Sequence, residues 1–106
     1  MTKKQYRDKI GIYYNMPVSY KIVELGDPDN VIMINTTFNM STVLENMMSD
    51  AIDGCKEKGL NGIAGHYDNL RKQMWEQDKV NGYDDIMREI NFLILLEKND
   101  DEAHEE

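Results

Sequence analysis

Long apolar runs, cysteine and histidine are what this chain has least of, and each scarcity closes off a class of protein. No stretch approaches the roughly 18 consecutive apolar residues that a membrane-spanning helix needs. The N-terminal segment MTKKQYRDKIGIYY is basic but lacks the apolar block of a signal peptide. A cytoplasmic protein with no membrane partner is expected. The single cysteine, Cys55, cannot close a disulfide within the chain, in keeping with a reducing compartment. One cysteine and two histidines, His66 and His104, leave no framework for a structural zinc site. Glycine-dense GLNGIAGH has neither the spacing nor the Lys-Ser/Thr ending of a phosphate cradle. Asp27, Asp29 and Asn30 begin like a calcium loop, but Val31 and Ile32 stand where a third ligand and a glycine belong, so the segment reads as a turn. No cofactor and no metal are expected, and no catalytic residue is assigned.

What the chain has in abundance is acid. Twenty Asp and Glu against twelve Lys and Arg give a net charge of −8. The imbalance is uneven. Residues 1–23 carry five bases against one acid, a charge of +4, so residues 24–106 carry −12. Phosphate backbones repel such a body, which argues against direct nucleic-acid binding. It favours either plain solubility or a basic protein partner, and the solvated surface is the blander of the two readings.

A chain of 106 residues is one domain with a modest core. VSYKIVEL and VIMINTTF flank GDPDN, two β-rich runs around dense turn chemistry, which predicts a β-hairpin over about 18–38. Residues 3–14 read as either a short helix or a strand. Thr42 and Glu45 form a T-x-x-E capping box ahead of the stripe Leu44, Met47, Met48, Ala51, Ile52 and Cys55, which predicts a helix over about 42–58. On that stripe Cys55 is expected to be a buried, inert thiol and not half of a Cys55–His66 catalytic pair. Ile63, Tyr67, Leu70 and Met74 mark a second helix over about 63–80, and a third is expected over about 84–98. The fold class is thus α+β, one hairpin packed on about three helices. The apolar run at 92–97 is an open choice between helix and third strand. Residues 1–98 form the expected domain, and 99–106 an acidic, disordered tail.

Candidate binding residues follow from this layout. Asp50, Asp53 and Glu57 recur at spacings of three and four, a single acidic ridge on the first of these helices. Paired carboxylates can perform acid–base work, but only in a pocket, and a ridge faces solvent. Trp75 falls one step off the Ile63/Tyr67/Leu70/Met74 stripe, so it is either a core lid or an interface anchor. Phe92 falls off the Ile86/Ile90/Leu93 stripe and points elsewhere. The eight methionines read first as core filler, though Met-rich faces also suit adaptable binding.

A short, acidic, motif-poor domain rich in Lys, Asn, Asp and Tyr resembles the small accessory proteins of phages and plasmids, and among them the anti-CRISPR class of inhibitors. The resemblance lies in size and composition along the whole chain and in no motif, so it carries no residue over. It implies a non-enzymatic binder that blocks a basic, nucleic-acid-handling protein such as a nuclease by covering the site that reads DNA. A homodimer is compatible with this reading. The competing expectation is a small-ligand-binding or enzymatic domain, with a pocket between hairpin and helices near His66, Tyr67 and Arg71.

Overall fold

The computed structural model describes residues 1–104, with side chains through residue 100. Its order is α1 (Lys3–Tyr14), β1 (Pro17–Glu24), β2 (Asp27–Thr37), α2 (Phe38–Glu57), α3 (Asn61–Val80) and α4 (Tyr83–His104). The class is α+β, with four helices and one antiparallel two-stranded sheet.

The N-terminal segment is a helix because its first turn is capped. Thr2 Oγ1 accepts from Gln5 N at 3.2 Å, and Thr2 N donates to Gln5 Oε1 at 2.8 Å, a reciprocal pair that satisfies two otherwise orphaned donors. Tyr6 and Ile10, one turn apart, supply its buried face.

The hairpin turns at Leu25-Gly26, where Gly26 has φ 85°. Pairing runs from Pro17↔Thr37 to Val23↔Val31, then slips to Glu24↔Asp27. That slip leaves 28–30 without partners, and Pro28, which has no N–H to give a ladder, lies in it. Val18, Tyr20 and Ile22 alternate onto the buried face of β1. The outer edge of β1 is closed by a helix. Gln77 of α3 takes Lys21 N on its Oε1 and gives its Nε2 to Lys21 O, while Gln73 does the same for Val23. The outer edge of β2 pairs with no strand among the described residues, and Val31, Ile32 and Met33 are exposed there.

The start of α2 corrects the sequence reading. The helix begins at Phe38, not 42, and its cap is Thr37, whose side chain accepts from Met40 N at 3.2 Å. Thr42 and Glu45 form no capping box. Thr42 Oγ1 donates back to Asn39 O at 2.7 Å, and Glu45 turns inward. The competing cap at Thr37, five residues upstream, wins because the strand delivers the chain there, with Phe38 N donating to Met16 O at 2.9 Å. Helix α3 is as expected to within two residues, but its buried positions start at Ala64, while Ile63 and Tyr67 are exposed. Cys55 is half-buried, not buried.

The run at 92–97 is helix, so the third-strand alternative is excluded. Ile90 and Leu93 are buried, Ile94 and Leu96 pack partly against the core, and Phe92 and Leu95 are more than half exposed. The fold does not end at Lys98 either. Helix α4 continues to His104, and Asp100 accepts from Tyr6 Oη at 2.6 Å and lies 3.9 Å from the N-terminal amine. The expected disordered tail is therefore helical over 99–104, and Glu105 and Glu106 lie outside the described residues. One core cluster joins α1, β1 and all three later helices, with Tyr20, Phe38, Met74 and Ile90 at its centre.

Candidate functional site

The three acids of the ridge lie where their spacing put them. Asp50, Asp53 and Glu57 are all exposed on α2. None takes part in an ion pair among the described residues, although Lys56 and Lys58 are close in sequence.

Trp75 is 43% exposed and carries the Arg71 guanidinium 4.5 Å from its ring centroid. Arg71 is fixed there by bonds to Ser49 Oγ at 3.0 Å and Asp68 Oδ1 at 2.7 Å. Asp68 in turn is held below the ordinary carboxylate range, mainly by Lys72 and then by Arg71. Phe92 stands 53% exposed on α4. The ridge belongs to α2, Trp75 to α3 and Phe92 to α4.

A pocket between hairpin and α3 does exist, about 200 Å³, with His66, Leu70 and Ile22 in its wall. Tyr67 and Arg71 do not line it.

A second cavity, about 270 Å³, was not anticipated. It lies where α2, α3 and α4 meet, and Glu45, Trp75, Asp78, Tyr83 and Asp84 contribute to its wall. Phe38 and Tyr83 form its aromatic base, edge to face with centroids 5.0 Å apart. Tyr20 Oη donates to Asp78 Oδ1 at 2.6 Å. Burial and that bond to Asp78 hold the Tyr20 hydroxyl in its neutral form. Burial also raises Tyr83. Glu45 Oε1 is buried with no hydrogen-bond partner among the described residues, and so is the Tyr83 hydroxyl. Burial first, and the neighbouring Asp78 second, push the Glu45 carboxyl up to about 8, because a low-dielectric site with a second carboxylate disfavours another negative charge.

The sequence carries a signal for this site in the positions of two acids. Glu45 precedes Met48 by three and Ile52 by seven, which puts it on the buried face of α2. Asp78 follows the buried Met74 by four, which does the same on α3. Two carboxylates on two buried faces can meet, but only packing shows that they do. Among the described residues no group of three or more His, Cys, Asp or Glu is placed to hold a metal ion. Comparison with protein-family models, with curated proteins and with solved structures finds no match to this chain.

Proposed function

We propose that this chain is a non-enzymatic interaction module that docks an acidic surface on a basic, nucleic-acid-handling protein and inhibits it. The observation that carries the reading is the row Asp50, Asp53 and Glu57, exposed and without ion pairs on one side of α2. A net charge of −12 over residues 24–106 supports it, since clustered charge of one sign speeds encounter with an opposite surface. Such a row competes with phosphates for a lysine- and arginine-rich groove, which is how an acidic binder blocks a DNA-reading site.

The test is a pull-down from bacterial lysate with wild type and two triple variants. Reversing Asp50, Asp53 and Glu57 to lysine brings the net charge from −8 to −2, each change adding two. Reversing Asp29, Glu76 and Glu89, exposed acids on three other elements, gives the same net charge. A basic partner should be retained by wild type and the scattered variant, released by the ridge variant, and released by salt as the screening length falls below about 8–10 Å. Equal loss in both variants would reduce the effect to net charge and sink the ridge as a site.

A further inference from the structure

We infer that a second copy of this chain docks along the open edge of β2, antiparallel and about a two-fold axis, so that two hairpins join into one four-stranded sheet. The inference does not rest on the acidic ridge, which lies on α2.

The backbone is the first argument. The outward groups of Lys21 and Val23 on β1 bond to Gln77 and Gln73 of α3. Backbone direction alternates along a strand, so Tyr20 and Ile22 are the residues that bond to β2, and their partners are Ile34 and Ile32. Val31, Met33 and Asn35 therefore turn their N–H and C=O groups away from β1. No hydrogen bond reaches those outward groups among the described residues. An open strand edge is a template for another strand, and this chain closes one edge of its sheet and leaves the other open.

Side chains are the second argument. Edges that must stay single carry charge, proline or a bulge. Here Pro28 and the slip in pairing lie before Val31, and residues 31–37 have none of the three. Val31, Ile32 and Met33 are 41%, 49% and 56% exposed, three successive apolar residues on both faces of the strand. A partner laid on one face would leave the other wet, whereas a strand added in the plane of the sheet covers part of both.

Charge chooses the occupant. The chain carries −8, so two copies repel unless they meet where acid is absent. Residues 30–44 are its longest run without a charged side chain, and the open edge lies within that run. A basic partner finds no acid there to pair with. An antiparallel match about Met33 sets Val31 against Asn35 of the second copy and Ile32 against its Ile34, and Asp29 falls opposite a threonine and not another carboxylate. The interface is small beside the roughly 20–30 residues a side of a standard complex, so the dimer is reversible.

The experiment is sedimentation of the full chain over a dilution series from about 1 mM to about 1 μM, the span of a weak interface, with amide hydrogen exchange at both ends of the series. Mass should pass from two chains to one on dilution. Exchange at Val31, Met33 and Asn35 should slow at high concentration, while Ile32 and Ile34, bonded to β1 throughout, should change far less. Met33→Pro deletes the central edge donor without touching the bonds to β1, and should weaken association by about tenfold or more, the loss of two hydrogen bonds. Met33→Lys should weaken it as well, by setting two like charges face to face. Met47→Lys, the same change at a methionine 61% exposed on α2, should leave the dimer in place. A chain that stays single at about 1 mM leaves the edge to a foreign strand and overturns the proposal. A dimer whose exchange at Val31, Met33 and Asn35 is the same at both concentrations uses another face and overturns it too, as does equal loss in Met33→Lys and Met47→Lys. The exchange pattern is read on wild type, so the test stands even where a Met33 variant fails to fold.

Discussion

Gln77 holds the backbone of Lys21 as a neighbouring strand would: its Oε1 accepts from Lys21 N at 2.9 Å and its Nε2 donates to Lys21 O at 2.9 Å. Gln73 repeats the arrangement one helical turn earlier on Val23, at 2.9 and 2.8 Å. Four residues of helix rise about 6 Å and two residues of strand about 6.6–6.8 Å, so the two periods match. Two amide side chains thereby satisfy the edge of a two-stranded sheet that is marginal alone.

Replacing Gln73 or Gln77 by alanine should therefore cost more than an exposed helix position warrants. Each change frees a backbone donor and acceptor, at about 1–2 kcal/mol per site by denaturant unfolding. The double variant should also self-associate further than wild type, because both edges of the sheet are then open. A double variant that associates no further and loses under about 0.5 kcal/mol would show that the glutamines only decorate the edge.

The cap of α2 gives a paired comparison. Thr37→Ala removes the acceptor for Met40 N and should destabilise by about 1 kcal/mol. Thr42→Ala removes a bond to Asn39 O inside the helix and should be close to neutral. The reverse order in thermal melts would restore the capping box that the sequence suggests.

Glu45 makes stability depend on pH. Its carboxyl titrates at an ordinary 4.5 when unfolded and is raised to about 8 in the fold. Between those values the folded chain holds a proton that the unfolded chain has lost, so this group's contribution is full below 4.5 and declines as pH rises through about 8. Glu45→Gln should flatten that decline and be the more stable protein at alkaline pH. Parallel pH profiles for the two proteins would remove Glu45 from the buried cluster.

The contact between Tyr6 and Asp100 joins the two ends of the described chain. Tyr6→Phe and Asp100→Asn should each lower the melting temperature, and the double variant should lose less than the sum, as coupled partners do. Strict additivity would mean that the C-terminal turn of α4 contributes nothing to α1.

Some features of this protein follow from its sequence alone. The hairpin follows from two β-branched runs around Gly26, Pro28 and Asn30. Helices α2 and α3 follow from apolar spacing and from Gly59, which with φ 75° stands just past the end of α2. The solvent side of α2 follows as well, because Asp50, Asp53 and Glu57 fall opposite Met48 and Ile52 by period alone. These are short-range matters, and each is decided by residues within a few positions of one another.

Tertiary structure decided the rest. The run INFLILLEK is apolar at too many positions for period to choose between helix and strand. It is helix because Ile90 and Leu93 find the core beside α1, and Arg7 Nε then meets Glu97 Oε1 at 3.0 Å. Glu45 satisfied a local capping pattern equally well, until the chain leaving β2 started the helix at Phe38 and turned that carboxyl toward Asp78 of α3. The cavity needs Glu45 beside Asp78 and Tyr83, which follow it by 33 and 38 residues and stand on two other helices. No local rule brings them to one point. The packing of α2, α3 and α4 does, because burying Phe38, Met74 and Tyr83 together carries the neighbouring acids inward with them.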